Sequence, residues 1–447
     1  MALASAGLVA YALWALPVRH QPLELYLRLW PAISLFLVAY ALAGLYPGVG
    51  LGPVETLRRQ SWATGLVFLL LAALSFAFKL PYLYSRVTFG IAFCLAMVLI
   101  PVGRSITLGR LTRFRSWPEP VALVSDDAGR TRHLAGALRD RPQLGYRPAA
   151  LVWLGEVPAP EVEGIEVVEG VEAAALLAAR GVQAALVAVK EEVGPRRLDE
   201  LQRYLRRVLI IRELDDLPVE GIRVRNLGGL LGIELTNNLL DPRNRIAKRS
   251  LDILAGGAAL IVAAPLIALA AVAVRVMSPG GALFTQSREG LNGRRIRVPK
   301  IRTMVPDAEA ELERRLGEDP ALRDEWESNM KLRDDFRLVP RVGRFLRRFS
   351  LDELPQLWSV LRGDMSLVGP RPFPDYHLAR FSPHFRALRQ RVRPGITGLW
   401  QVTVRSAGTI EQQESLDTFY IRNWSIWLDL YILARTVGAV ISGRGAY

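Results

Sequence analysis

Apolar and polar positions change rhythm twice along the chain. Over the first hundred residues, apolar side chains come in long runs at 3–16, 25–46, 64–80 and 87–106. The second and fourth runs reach the roughly 20 residues a helix needs to cross a bilayer, and the other two need help from their flanks. The first has no basic start and no small-residue cleavage site, so it reads as a retained helix rather than a signal peptide. Arg58 and Arg59 follow the second run, and Arg104, Arg110, Arg113 and Arg115 follow the fourth. Basic loops stay on the cytoplasmic side, which places both loops and the N-terminus there. Residues 1–112 are thus expected to form a four-helix transmembrane region.

From 113 to 240 the pattern becomes short apolar runs alternating with amphipathic segments. Strands are expected at 121–124, 149–153, 165–168, 184–189 and 208–211, with helices at 131–138, 171–179 and 198–207. That alternation builds a small parallel-sheet, Rossmann-like α/β domain. The turn after its first strand reads S-D-D-A-G-R, with Gly129 as its one glycine. Asp126 and Asp127 would repel phosphate, and a dinucleotide site needs glycines at this turn. Regulation or assembly is the expected role.

Residues 241–447 form the third region, expected to hold the chemistry. Lys248 and Arg249 lead into an apolar run at 251–277 with Pro265 in its middle. The length permits a full crossing. A proline kink would instead make 249–277 a re-entrant helix that enters and leaves by one face. That path keeps the arginine-rich remainder beside cytoplasmic nucleotides. Asp252 is expected to pair with the two bases before it. Gly290, Asn292 and Gly293 signal a hairpin turn. Lys300 and Arg302 then share one face of an extended segment, either as phosphate contacts or as a solvated basic strand near lipid.

Charge is densest between 341 and 401. Arg341, Arg344, Arg347 and Arg348 alternate with Val342, Phe345 and Leu346, the pattern of an interfacial amphipathic helix. S-L-D-E-L-P-Q follows from Ser350. Ser350 and Glu353 have the spacing of a capping box, and Asp352 would complement the helix dipole. The same pair, ionised in a first helical turn, would equally serve as nucleophile or metal ligand. Arg371 lies between Pro370 and Pro372, whose stiffness suits the clamping of a phosphate. Arg393 precedes a glycine-bracketed turn carrying Thr397, and Gln401 follows. Glycines there let the backbone approach a ligand closely. Further on, Phe419, Tyr420, Trp424, Trp427 and Tyr431 crowd together as in a membrane-interface belt.

Composition sharpens this picture. The chain is 51% hydrophobic yet 22% charged, as expected of membrane segments joined to a sizeable soluble part. Its net charge of +14 favours anionic partners such as lipid headgroups and phosphorylated substrates. No zinc-finger spacing or recognition helix is visible, which argues against nucleic acid. Cys94 is the single cysteine and there are four histidines, so neither an intrachain disulfide nor a Cys- or His-rich metal site is expected.

Several stretches then fall into a known order. Lys248-Arg249 before a hairpin, Q-S-R-E-G-L-N-G from Gln286, K-I-R-T-M from Lys300, S-L-D-E-L-P-Q from Ser350, G-D-M-S-L-V-G-P-R-P from Gly363 and R-P-G-I-T-G-L-W-Q from Arg393 resemble the bacterial sugar transferases, the monotopic phosphoglycosyl transferases. The four-helix start, the Rossmann-like middle and Y-P-G-V-G-L-G-P-V-E from Tyr46 resemble their large subfamily. The resemblance implies transfer of sugar-1-phosphate, galactose by subgroup, from a UDP-sugar to undecaprenyl phosphate, with release of UMP. It implies Mg²⁺, a ping-pong course and a catalytic domain on the cytoplasmic face of the bacterial inner membrane. Asp352 would be the nucleophile and Glu353 its assistant, the two also being the metal ligands. Lys300, Arg302, Arg371, Arg393, Thr397 and Gln401 would contact substrate, and large relatives imply a homodimer. Some positions depart from the family pattern. Residues 335–340, D-F-R-L-V-P, stand where D-P-R-x-T is usual, and Gly281, Ser359 and Phe349 replace a proline, an asparagine and a threonine. The competing reading is a membrane scaffold or regulator whose acidic pair only caps a helix.

Overall fold

The computed structural model describes the whole chain except residues 1, 28–30, 47, 78–84, 113–117, 156–164, 171–172, 190–194, 212–221, 228–229, 236–237, 307, 330–331, 333–334, 405–408 and 443–447. It divides into two compact units, Met1–Asp215 and Asp216–Tyr447.

The first unit opens with apolar helices. Three of them, Ala2–Arg19, Pro53–Ala77 and Arg86–Leu111, are long and apolar enough to cross a bilayer. The second expected span is not among them. Of its run the described residues form Leu23–Leu27 and the 11-residue Ala32–Leu42, with 28–30 outside the described residues. Proline has no N–H to continue a helix, and Pro31 instead occupies the N-cap of the later piece. The third run starts earlier than its apolar residues do. Glu55 neutralises Arg58 and Arg59, each at 2.6 Å, so both bases sit inside the helix. Arg59 also donates to the Ala43 carbonyl at 3.1 Å and Arg104 to that of Leu45 at 3.0 Å. Both arginines thus tie the connecting turn to the long helices.

The rest of this unit is a parallel sheet of five strands: β1 Glu119–Ser125, β2 Tyr146–Trp153, β3 Glu166–Glu169, β4 Ala184–Ala188 and β5 Arg207–Ile210, in spatial order β3-β2-β1-β4-β5. Side chains alternate across each strand. Val121 and Leu123 pack with Ala135 and Leu138 of helix Ala128–Asp140. Ala122 and Val124 pack with Ala174, Leu177 and Leu201 of the helices on the opposite face. The turn after β1 is closed by its own chain. Asp127 accepts from the Arg130 N–H at 2.8 Å, and the Ser125 hydroxyl donates to the Ala188 carbonyl at 2.9 Å.

The second unit begins with an antiparallel hairpin, β6 Ile222–Leu227 and β7 Leu230–Leu235, which the apolar pattern did not predict. The long helix Pro242–Met277 follows, with Pro265 inside it. Its N-terminal part is fastened by charge. Lys248 donates to Asp429 at 2.7 Å and Arg249 to the Val360 and Leu361 carbonyls, each at 2.7 Å. Asp252 does not pair with these bases, contrary to expectation. It accepts from the Ser366 hydroxyl and the Leu367 N–H, each at 2.9 Å, because the helix turns it inward while the two bases reach past it. Beyond Pro265, Ala270 and Val274 pack on Ile301 and Leu346. Along the other face Leu254, Ile261, Val262, Leu269, Val272 and Val276 are exposed.

A second hairpin, β8 Leu283–Glu289 and β9 Arg295–Ile301, follows the long helix, with Asn292 and Gly293 at positive φ in its turn. Two short parallel strands, β10 Ser366–Val368 and β11 Gly395–Thr397, lie further along. A Cβ on Gly395 would stand 2.1 Å from the Gly369 nitrogen. The glycines of this turn let its backbone lie directly against Gly369. Tyr420 and Trp424 of the aromatic cluster are buried rather than displayed, and both donate to Asp429, at 2.8 and 3.2 Å.

Candidate active site

The hairpin register builds one wall of a cleft. Arg288 opposes Ile296, Gln286 opposes Val298 and Phe284 opposes Lys300. Directly opposed residues share a face, so Arg288, Val298 and Lys300 come together. The opposite wall comes from the acidic stretch and from Arg371 to Pro374. Lining the cleft are Arg288, Val298, Lys300, Glu353, Gln356, Arg371 and Phe373, with the flanking prolines 372 and 374.

The expected capping box is not formed. Ser350 is left-handed at φ 54 and its side chain caps nothing. Residues Leu351–Glu353 make a single 3-10 turn, and the α-helix starts at Gln356 with Pro355 in the capping position. The left-handed bend aims Glu353 across the cleft instead. Its Oε1 accepts from Lys300 Nζ at 2.8 Å and Arg371 Nη2 at 2.6 Å, and its Oε2 from Arg371 Nη1 at 3.2 Å. Arg371 is therefore held as a fork, and Glu353 carries two cations.

The two carboxyls titrate in opposite directions. Burial pushes Asp352 up to about 6, with the Glu353 charge adding to it and Lys300, Arg347 and Arg371 opposing. Burial also works against ionisation of Glu353, but Arg371 and Lys300 outweigh it and hold that carboxyl well below its ordinary range. Two neighbouring acids driven apart in this way are a signature of divided roles. Asp352 is 8% exposed and is not among the residues lining the cleft. Its carboxylate accepts no hydrogen bond from any described residue, so its lone pairs are unengaged.

Arg347 supplies the charge on Asp352's other side. Burial lowers its pKa and the Asp352 charge acts against that. Its Nε donates to Thr303 Oγ1 at 3.0 Å, and its Nη1 lies 3.6 Å from Asp335. Asp335 is held in turn by Arg337, at 2.7 and 2.8 Å, and that guanidinium lies 5.1 Å from the Trp326 ring. The D-F-R-L-V-P segment thus braces Arg347. Its departure from the usual motif keeps the Asp and Arg that form the brace.

The structure brings together Asp352, Glu353, Lys300 and Arg371 of the expected site residues. It takes the other four elsewhere. Arg302 follows the end of β9 and donates to the Ser278 carbonyl at 2.9 Å. Arg393 donates to the Gly363 carbonyl at 2.8 Å, Thr397 meets Thr436 at 2.8 Å, and Gln401 donates to the Ile396 carbonyl at 3.3 Å. Arg288 and Gln356 line the cleft and were missed. The readable signal for Arg288 was the hairpin turn, which fixes its strand partner.

Similarity along the sequence follows the same ground. The profile of the bacterial sugar transferase family matches residues 243–443, which include every cleft residue. The UDP-galactose-lipid carrier transferase of Erwinia amylovora is 34% identical over 376 residues, 81% of this chain and 76% of that protein. The chain belongs to the bacterial sugar transferase family. This sugar transferase is also 31% identical over 371 residues to the undecaprenyl-phosphate galactose phosphotransferase of Salmonella typhimurium, covering 81% of this chain and 77% of that one. The UDP-glucose:undecaprenyl-phosphate glucose-1-phosphate transferase of Caulobacter vibrioides is 44% identical over 211 residues, 45% of this chain and 72% of that protein. With its long apolar helices and such relatives, this sugar transferase is a membrane protein of mixed α/β fold.

Proposed function

We propose that this sugar transferase moves galactose-1-phosphate from UDP-galactose to undecaprenyl phosphate at the cytoplasmic face of the inner membrane, through a covalent intermediate on Asp352. The observation that carries this reading is the buried, unbonded Asp352 carboxylate beside Glu353, whose charge is already committed to Lys300 and Arg371. An oxygen of Asp352 attacks the phosphorus that bears the sugar. The bond from that phosphorus to UMP breaks and UMP leaves. A phosphate oxygen of the lipid then attacks the same phosphorus and returns Asp352 to its carboxylate. Splitting one displacement into two easier ones is what a covalent nucleophile achieves.

Arg288, Lys300 and Arg371 face the cleft, where the charge of a diphosphate would gather. Fixed cations aimed at developing charge supply most of the catalysis in such transfers. Galactose is favoured because relatives named for it match over 81% of the chain, whereas relatives named for glucose match over 45–54% of it.

Among the described residues no group of three or more His, Cys, Asp and Glu could hold a metal ion. The donor set fits Mg²⁺ in its usual partnership of one or two carboxylates with substrate phosphates. Asp352 would hold it, helped by Oε2 of Glu353, which accepts one hydrogen bond against two at Oε1. When bound it would neutralise diphosphate charge.

The packing on either side of Pro265 supports a re-entrant path for the long helix. Gly256 stands against Val360 and Val274 against Leu346 of the same unit. A crossing helix would part these positions across a hydrocarbon core about 30 Å thick. The test of the function is UMP release from a panel of UDP-sugars by purified protein in lipid. Continued release that needs undecaprenyl phosphate, a single equivalent per enzyme without it, and none once Asp352 is replaced support it. Turnover retained by Asp352→Asn overturns it.

A further inference from the structure

We propose that Arg389 and Asp417 are positioning residues for Arg371, a buried pair of charges under the Arg371–Pro374 wall; the inference rests on the transfer reaction above. Arg389 ends the helix Pro383–Arg389 and is 7% exposed. Its Nη2 donates to the Arg371 carbonyl. Its guanidinium lies 5.0 Å from the ring centre of Phe373, and 5.4 and 5.6 Å from those of Phe381 and Phe385. One side chain therefore holds the backbone of the phosphate clamp and the ring that lines the cleft two residues later.

The counter-charge comes from Asp417, on helix Ile410–Arg422 and 1% exposed. Its Oδ2 lies 3.9 Å from Arg389 Nη1, and among the described residues neither that nitrogen nor either Asp417 oxygen has a hydrogen-bond partner. Two buried charges left unbonded are costly for stability, so burial alone does not explain them. They face each other across a gap that a small movement of Arg389 closes. Pro370 and Pro372 stiffen the loop above, so such a movement passes through the Arg371 carbonyl to its guanidinium. Placement of that guanidinium decides how well it meets a phosphate, and errors near 1 Å cost catalysis heavily.

The ionisation of Asp417 then sets the strength of the hold. Burial pushes its carboxyl up to about 7, with Arg389 opposing. Below that pH Arg389 has lost its counter-charge, and above it the pair is complete. Glu289, at the end of β8, adds its charge at Arg389. His377 stacks on Phe373 at 4.1 Å and meets Gln413 at 3.4 Å, one turn before Asp417. Tyr420 lies one turn after it.

The test compares wild type, Asp417→Asn and Arg389→Lys as full-length protein in lipid, between about pH 5.5 and 8.5. UMP release gives kcat and KM for UDP-galactose, and calorimetry gives the affinity for UDP. In wild type, KM should fall about tenfold as pH rises through 7, the size of a charged hydrogen bond gained. Asp417→Asn, nearly the same shape, should keep the high KM at every pH and lose that limb, while Arg389→Lys should raise KM at high pH. A variant Asp417→Asn with the wild-type KM and the wild-type limb overturns the proposal. So does a lowered melting temperature with KM unchanged. Should wild type release no UMP, the transfer reading fails on its own. UDP affinity then decides the pair: a limb near pH 7 that Asp417→Asn abolishes supports it, and an identical limb in both proteins refutes it.

Discussion

Replacing Glu353 by Gln tests the electrostatics of the site most fully. The substitution keeps the shape and removes the charge that binds Lys300 and Arg371. Neighbouring carboxylates about 6 Å apart at an effective dielectric of about 20 repel by roughly 3 kcal/mol, about two pKa units. Asp352, now at about 6, should fall to about 4 or below, because three cations remain around it. Asp352 works ionised, so the wild-type rate should decline as pH drops through about 6, and in Glu353→Gln that decline should move to about pH 4. The variant also leaves two cations side by side. Breaking a fully buried pair costs roughly 3–5 kcal/mol. Lys300 and Arg371 keep 23% and 30% of their side-chain exposure, so screening reduces this to about 1–3 kcal/mol. The assay is single-turnover UMP release against pH, with a thermal melt on the same samples. An acid limb still at about pH 6 in the variant would refute the assignment of that limb to Asp352 and its neighbour.

Other substitutions read neighbouring parts of the account. Asp352→Asn should release no UMP yet be more stable than wild type at pH 8. The raised pKa of Asp352 means that its favourable contribution is complete below about 3.8 and lost as pH rises through about 6; removing the charge should recover about 2–3 kcal/mol, measured by denaturant unfolding. Lys248→Met should cost roughly 3–5 kcal/mol by the same measurement, because Asp429 is fully buried; a loss under about 1 kcal/mol would show that Tyr420 and Trp424 satisfy it alone. Ser350→Gly should stabilise by about 0.5–1 kcal/mol by relieving a left-handed backbone, whereas a capping serine would make the change neutral or harmful.

Much of the fold could be read from local patterns. The five strands of the parallel sheet are short apolar runs between helices, and alternation alone separates Val121 and Leu123 from Ala122 and Val124. The acidic pair stood out because carboxylates flanked by arginines and prolines need a partner, and Lys300 and Arg371 supply it. What stayed hidden depends on distant contacts. Ser350 and Glu353 have the right spacing for a cap, but the pull of Lys300 and Arg371 on Glu353 outweighs a backbone N–H. Arg302 shares the parity of Lys300 and yet lies past the last residue of β9, where the side chain turns to Ser278. Asp252 looks paired with Lys248 and Arg249 in sequence, while each of the three finds a separate partner more than a hundred residues away. Pro31 lies within an apolar run whose hydropathy hides the helix start it sets at Ala32.

Intact-protein mass spectrometry after incubation with UDP-galactose, with no lipid acceptor present, tests the covalent step most directly. The account predicts one added hexose phosphate, mapped by peptide fragmentation to Asp352 and discharged by undecaprenyl phosphate. An adduct on Glu353, or UMP release with no adduct on any residue, would contradict it.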